Sequence, residues 1–164
     1  GKFGWPEKNI EEIRLNPNSR RNIIDLWQPE YFDTAVLPPC VYGSQFIVDG
    51  DMLHIRVTQR SCDVGLGLPY NVTQYAAFVS MIAHVTGLKP GKMLYQITDT
   101  HIYCKHIPAI QTLINRRSES KPAPKLWLNP EIKDFFEFDN SRELKDIKLI
   151  GYEHLGKVPM EVSI

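Results

Sequence analysis

Several things are scarce in this sequence, and each scarcity excludes a class of protein. It carries no surplus charge: 19 Lys and Arg residues face 19 Asp and Glu residues. Proteins that hold nucleic acid by its phosphates are basic overall, so no nucleic-acid partner is expected. No run of eighteen or more apolar residues occurs, so no membrane-spanning helix is expected. Residues 1–6 show no charged stretch leading into an apolar core, so no signal peptide is visible. Cysteine is limited to Cys40, Cys62 and Cys104, spread widely and without a C-x-x-C. A sparse, odd set fits a reducing compartment better than a disulfide framework, and a cytoplasmic location is expected. The missing C-x-x-C argues against structural zinc, and no metal is expected. Repeats and low-complexity stretches are also absent.

What is present is the balance of an ordinary folded domain: 164 residues, 43% hydrophobic and 23% charged. Residues 1–164 are expected to form a single domain with its own core. Residues 9–16 place Ile10, Ile13 and Leu15 among charges and read as a short helix, broken at Pro17. Residues 21–27 read as a strand. Residues 41–48 and 52–59 read as two more, joined through Asp49-Gly50, a hairpin signal because glycine accepts positive φ. Residues 61–71, with Gly65, Gly67 and Pro69, read as a loop. Residues 72–86 give the strongest helix signal, apolar on a broad face and followed by Gly87, so this helix should be central. Residues 92–97 read as a strand, and 102–115 as an amphipathic helix with Pro108 near its true start. Residues 125–128 and 147–152 are the last strand candidates. Hairpins in place of regular βαβ units point to the α+β class, a mixed sheet with a central buried helix.

A few clusters could carry chemistry. Cys40 follows Pro38-Pro39, which fix the backbone ahead of the thiol. A nucleophilic cysteine works as a thiolate and needs a cationic neighbourhood, which no adjacent residue supplies. The alternative is a small buried hydrophobe. Gln59-Arg60-Ser61-Cys62-Asp63 brings amide, guanidinium, hydroxyl and carboxylate to the end of a strand. Such a set could grip a phosphate and a heterocycle, or be a solvated loop with a local ion pair. Arg20-Arg21 is a phosphate clamp or an exposed face. Asn71 either caps the helix that follows or reads a pyrimidine edge. His101 and Tyr103 lie in DTHIY, between a strand and a helix.

Taken in order, LPPCVYGSQF at residues 37–46, QRSCDVGLGLPYN at 59–71 and DTHIY at 99–103 closely resemble the thymidylate synthase family. The resemblance runs on through PAPKL at 122–126 and IGYEH at 150–154 to the terminal MEVSI. It implies the family's α+β sandwich, with sheets back to back in a homodimer. It also implies methylation of deoxyuridine monophosphate (dUMP), with methylene-tetrahydrofolate as the one-carbon and hydride donor. By the match, Cys40 adds to C6 of uracil, Arg60 supports it, and Asn71 reads the base. The match gives dUMP contacts to Gln59, Arg60, Ser61, Cys62, Asp63, Asn71, His101 and Tyr103, and to Arg20 and Arg21 reaching in from a partner subunit. It assigns folate contacts to Asp63, Leu66, Gly67, Tyr70 and Ser163, the last in a tail that closes over the site.

The resemblance also marks departures. The family's chain begins well before the segment matching Gly1, so a further N-terminal part is expected. Val41, Gly65, Thr98 and Lys105 stand where other residue types are common. Thr98 is expected to crowd the base or folate pocket, and Gly65 to leave room beside the folate. Two alternatives therefore stand: a dUMP hydroxymethylase of the same superfamily, and a non-catalytic nucleotide-binding fragment. A zinc deaminase is disfavoured, since neither H-x-E nor P-C-x-x-C occurs.

Overall fold

The computed structural model describes residues 5–162. Helix α1 spans Trp5–Leu15. Strands β1 (Ile23–Asp25), β2 (Val41–Asp49) and β3 (Met52–Asp63) follow, then helix α2 (Gly67–Thr86) and strand β4 (Lys89–His101). A short 3-10 helix, Cys104–His106, leads into α3 (Ile107–Asn115), and β5 (Lys125–Leu128) and β6 (Ile147–Ile150) close the order. The main sheet is ordered β1-β2-β3-β4, and β5 pairs with β6 in a separate ribbon. The architecture is α+β.

The β2–β3 hairpin turns at Gly50, whose φ of 59° lies in the left-handed region. From Asp49↔Met52 the ladder runs back to Val41↔Gln59, which brings Cys40 alongside Arg60. β3 and β4 are parallel, because α2 carries the chain back across the sheet. One β–α–β unit thus exists where only hairpins were expected.

The core lies between the sheet and α2. Phe46, Leu53, Ile55 and Val57 alternate inward from β2 and β3, and Tyr75, Val79, Ile82, Ala83 and Val85 face them from α2. Ile10 and Ile13 of α1 close one end, where the Arg14 guanidinium donates to the Val85 carbonyl at 2.6 Å. The opposite sheet face leaves Ile23, Ile47 and Leu94 exposed.

Three further expectations change. Residues 61–63 are strand, since the β3–β4 ladder continues through Ser61↔Asp99 to Asp63↔His101. α2 begins at Gly67, so Asn71 is its fifth residue and caps nothing; the residue before the helix, Leu66, makes no side-chain cap. Pro69 is tolerated there because first-turn N–H groups have no helical partner to lose. The amphipathic helix is shorter than its sequence pattern, starting at Ile107 with Pro108 in its opening turn.

Candidate active site

The carboxyl ends of β3 and β4, the start of β2 and the first turn of α2 meet at one end of the sheet. Arg60 organises its near side. Its backbone N–H donates to the Cys40 carbonyl at 2.8 Å. Its guanidinium donates to the carbonyls of Pro39 (3.1 Å) and Pro38 (2.8 Å) and lies over the Trp27 ring, 5.7 Å from its centroid. Arg60 therefore fixes the Pro-Pro-Cys turn. Two of its roughly five N–H donors are spent, leaving the rest for an anion. Cys40 is half-buried, and all three cysteines are free thiols. Burial, then the neighbouring Asp63 and Cys40, pushes the Cys62 thiol up.

Behind the site runs a polar chain with the buried Gln59 at its centre. The Tyr95 hydroxyl donates to Gln59 Oε1 at 2.7 Å. Gln59 Nε2 donates to the Ser61 carbonyl at 2.7 Å and to Asn71 Oδ1 at 3.3 Å. Gln59 is fully engaged, and it orients the Asn71 amide. Burial, with Tyr75 and Cys62 nearby, pushes the Tyr95 hydroxyl up to about 12. The Ser61 hydroxyl has no hydrogen-bond partner among the described residues.

Asp63 ends β3. Its Oδ1 accepts from the N–H groups of Gly65 (3.0 Å) and Leu66 (3.4 Å), turning the chain into α2. His101 closes the far side, with Nδ1 3.5 Å from Asp99 Oδ2 and its ring edge-on to Tyr103 at 5.1 Å. Leu66 and Gly67 are half-buried beside Asp63, and Tyr70 is 73% exposed on the first turn of α2. The room beside Gly65 is not open: a Cβ there would lie 3.1 Å from both Ile110 Cδ1 and Met160 Sδ. Thr98 is exposed on β4.

Two sets of expected residues stand apart. Arg20 and Arg21 are exposed just before β1. β1 pairs through Ile23↔Gln45 and Asp25↔Gly43, so its start points away from Cys40. At ~3.4 Å per residue, Arg21 is on the order of 20 Å from Cys40 along the sheet. Ser163 lies outside the described residues. Two residues at the site carry no sequence signal: Tyr95, only an inward position in an alternating strand, and His106, buried with Nε2 2.7 Å from the Glu161 carbonyl and Nδ1 3.8 Å from Asp63 Oδ1.

Among the described residues, no group of three or more His, Cys, Asp or Glu side chains is placed to hold a metal ion. No helix among them is long and apolar enough to cross a membrane.

A half-buried cysteine beside an arginine, a carboxamide and a carboxylate on one sheet end defines a candidate nucleotide site. The thymidylate synthase family model matches residues 5–164. The chain is 40% identical over 163 residues to a thymidylate synthase of Clostridium beijerinckii, covering 99% of this chain and 60% of that protein. It is 42% identical over 155 residues to thymidylate synthase 1 of Bacillus subtilis, covering 94% of this chain and 53% of the relative. The solved thermostable thymidylate synthase A from Bacillus subtilis superimposes with a TM-score of 0.86 at 41% identity, over 96% of this chain and 55% of that one. The chain belongs to the thymidylate synthase family. It spans little more than half the length of these relatives.

Proposed function

We propose that the chain methylates dUMP to thymidylate through a covalent bond between Cys40 and C6 of uracil. Support comes chiefly from the convergence of Cys40, Arg60, Asn71 and Asp63 at one sheet end in a family member. The attacking sulfur acts as a thiolate, and Arg60 supplies positive charge in its neighbourhood. Its unspent N–H donors and the free Ser61 hydroxyl suit the phosphate. As the S–C6 bond forms, the C5–C6 π electrons move to C5 and the carbonyl oxygen at C4. A preorganised donor at that oxygen stabilises the developing charge.

Asn71 is that donor. Gln59 holds its Oδ1, which turns Nδ2 toward the base, and Oδ1 keeps a lone pair for the uracil N3–H. Gln59 and Cys62 serve from behind, as buried support. His101 and Tyr103 hold the deoxyribose hydroxyl.

The residues present fit a folate. Asp63 keeps Oδ2 free of protein hydrogen bonds among the described residues, and Tyr70 offers an exposed ring. Gly67 raises no side chain between Asp63 and Asn71, where a Cβ would lie 3.7 Å from each. Asp63, Leu66, Gly67 and Tyr70 would hold it, with Ser163 closing over them. Methylene-tetrahydrofolate supplies the one-carbon unit and a hydride when bound.

Arg20 and Arg21 reach no site within their own chain, while Ile23, Ile47 and Leu94 leave the outer sheet face partly apolar. A second copy covering that face back to back would deliver both arginines to its partner's phosphate. Three free thiols fit a cytoplasmic setting.

The test is product chromatography after incubation with dUMP and methylene-tetrahydrofolate, with thymidylate expected. A hydroxymethylated product would assign the chain to the hydroxymethylases. No product, with dUMP binding intact, would make it a nucleotide-binding protein.

A further inference from the structure

The Gln59 amide is buried, and it is held on three sides. On one side lies the backbone carbonyl of Ser61, 2.7 Å from Nε2. A carbonyl oxygen only accepts, so the amino end of the amide has to face it. That leaves Oε1 on the opposite side, where the Tyr95 hydroxyl donates to it at 2.7 Å. Among the described residues no other group donates to Oε1. The second hydrogen of Nε2 goes to Asn71, which meets it with Oδ1 at 3.3 Å. The direction of the Asn71 amide is therefore inherited. The strand backbone and Tyr95 set Gln59, and Gln59 sets Asn71.

β4 places Tyr95 for this part. The residue is paired with Val57 and packs against the core, and its ring meets Tyr75 of α2 edge-on at 6.5 Å. Tyr75 lies one helical turn beyond Asn71, on the same face of α2. Tyr95 thus touches the helix next to Asn71 and also supplies the hydrogen that Gln59 Oε1 needs. Burial, with Tyr75 and Cys62 nearby, pushes its hydroxyl up to about 12, so the hydrogen stays in place at neutral pH.

We propose that Tyr95 is a positioning residue that gives the site its preference for uracil over cytosine, acting through Gln59 and Asn71. The proposal rests on Asn71 as the base reader proposed above. Uracil presents a carbonyl at C4 and an N–H at N3. Cytosine presents an amino group and a bare nitrogen at the same positions. Asn71 with Nδ2 toward C4 and Oδ1 toward N3 fits uracil alone, and the reversed amide fits cytosine alone. Without the Tyr95 hydroxyl, Gln59 Oε1 is a buried acceptor with no donor, which is costly. It regains a donor by swinging to Asn71 Nδ2, and that turns the Asn71 amide over. The hydroxyl closes this route by satisfying Oε1 where it stands.

Equilibrium binding of dUMP and of dCMP is measured by calorimetry for the full chain, Tyr95→Phe, Gln59→Leu and the double variant. Tyr95→Phe keeps the ring against Tyr75 and removes only the donor. It should cut the ratio of dUMP to dCMP affinity about tenfold, the size expected when a buried acceptor loses its partner. Gln59→Leu should cut the ratio as well. Adding Tyr95→Phe to it should change nothing further, because the tyrosine acts through Gln59. A tyrosine that only fills space would weaken both nucleotides alike and leave the ratio intact. An unchanged ratio in either single variant overturns the proposal, and so does a further drop in the double variant; each of these leaves Asn71 standing as the base reader. A native chain that binds dUMP no better than dCMP would overturn the reading of Asn71 itself, and the proposal with it.

Discussion

A carboxamide can read a base, the role proposed for Asn71, only if something decides which way it points. Gln59 holds Asn71, and Tyr95 holds Gln59. Gln59, the middle link, is buried, so a missing partner would leave its amide unsatisfied. Tyr95 also leaves a pH signature. Its folded value near 12 stands above the ordinary 10. Its contribution to stability is therefore fully present below pH 10 and is lost as pH rises toward 12. Alkaline unfolding followed by circular dichroism should show a decline across that window that is shallower in Tyr95→Phe; an identical decline would remove Tyr95 as its source. At this scale the sequence was partly legible. Cys40, Arg60, Asp63 and Asn71 stand out because their residue types cluster in short motifs. Tyr95 and His106 do not, since each is defined by a partner from another stretch of chain: Gln59 for the first, Asp63 and Glu161 for the second.

Elements bring these residues together, and the sheet–helix core holds the elements. Phe46 is fully buried on β2 and meets Phe78 of α2 edge-on at 5.9 Å. Phe46→Ala should cost about 3–5 kcal/mol, measured by urea unfolding; a cost under about 1 kcal/mol would mean that the site end is not held by this packing. The hairpin was readable from Gly50, because a two-residue turn needs particular residues, although the pair in the turn is Gly50-Asp51 and Asp49 stays in the ladder. The stretch at residues 61–71 was not. Glycines and a proline there suggest a loop, yet pairing with β4 carries β3 through Asp63, and the helix then starts at once. Pairing across a parallel sheet depends on a strand that comes far later in the chain, so no local pattern announces it. That early helix start is what sets Asn71 facing the Gln59 amide.

At the scale of the whole molecule, the proposed site residues lie in two places. The end of the sheet gathers the cysteine, the carboxamide and the carboxylate, while Arg20 and Arg21 lie far along β1 with the partly apolar outer face beside them. If a second copy covers that face, two inactive chains should repair each other. Mixing Cys40→Ala with Arg20→Ala/Arg21→Ala, after unfolding and refolding together, should restore roughly a quarter of the sites, since random pairing makes half the dimers mixed, each with one intact site. Mixed dimers without activity would end the cross-subunit assignment. Covalent attack by Cys40 is the central claim for this chain. Intact mass is measured for the chain with 5-fluoro-dUMP, with and without methylene-tetrahydrofolate, and again for Cys40→Ala. A folate-dependent covalent adduct is expected in the native chain and none in the variant. An adduct that survives Cys40→Ala, or no adduct in the native chain, would contradict it.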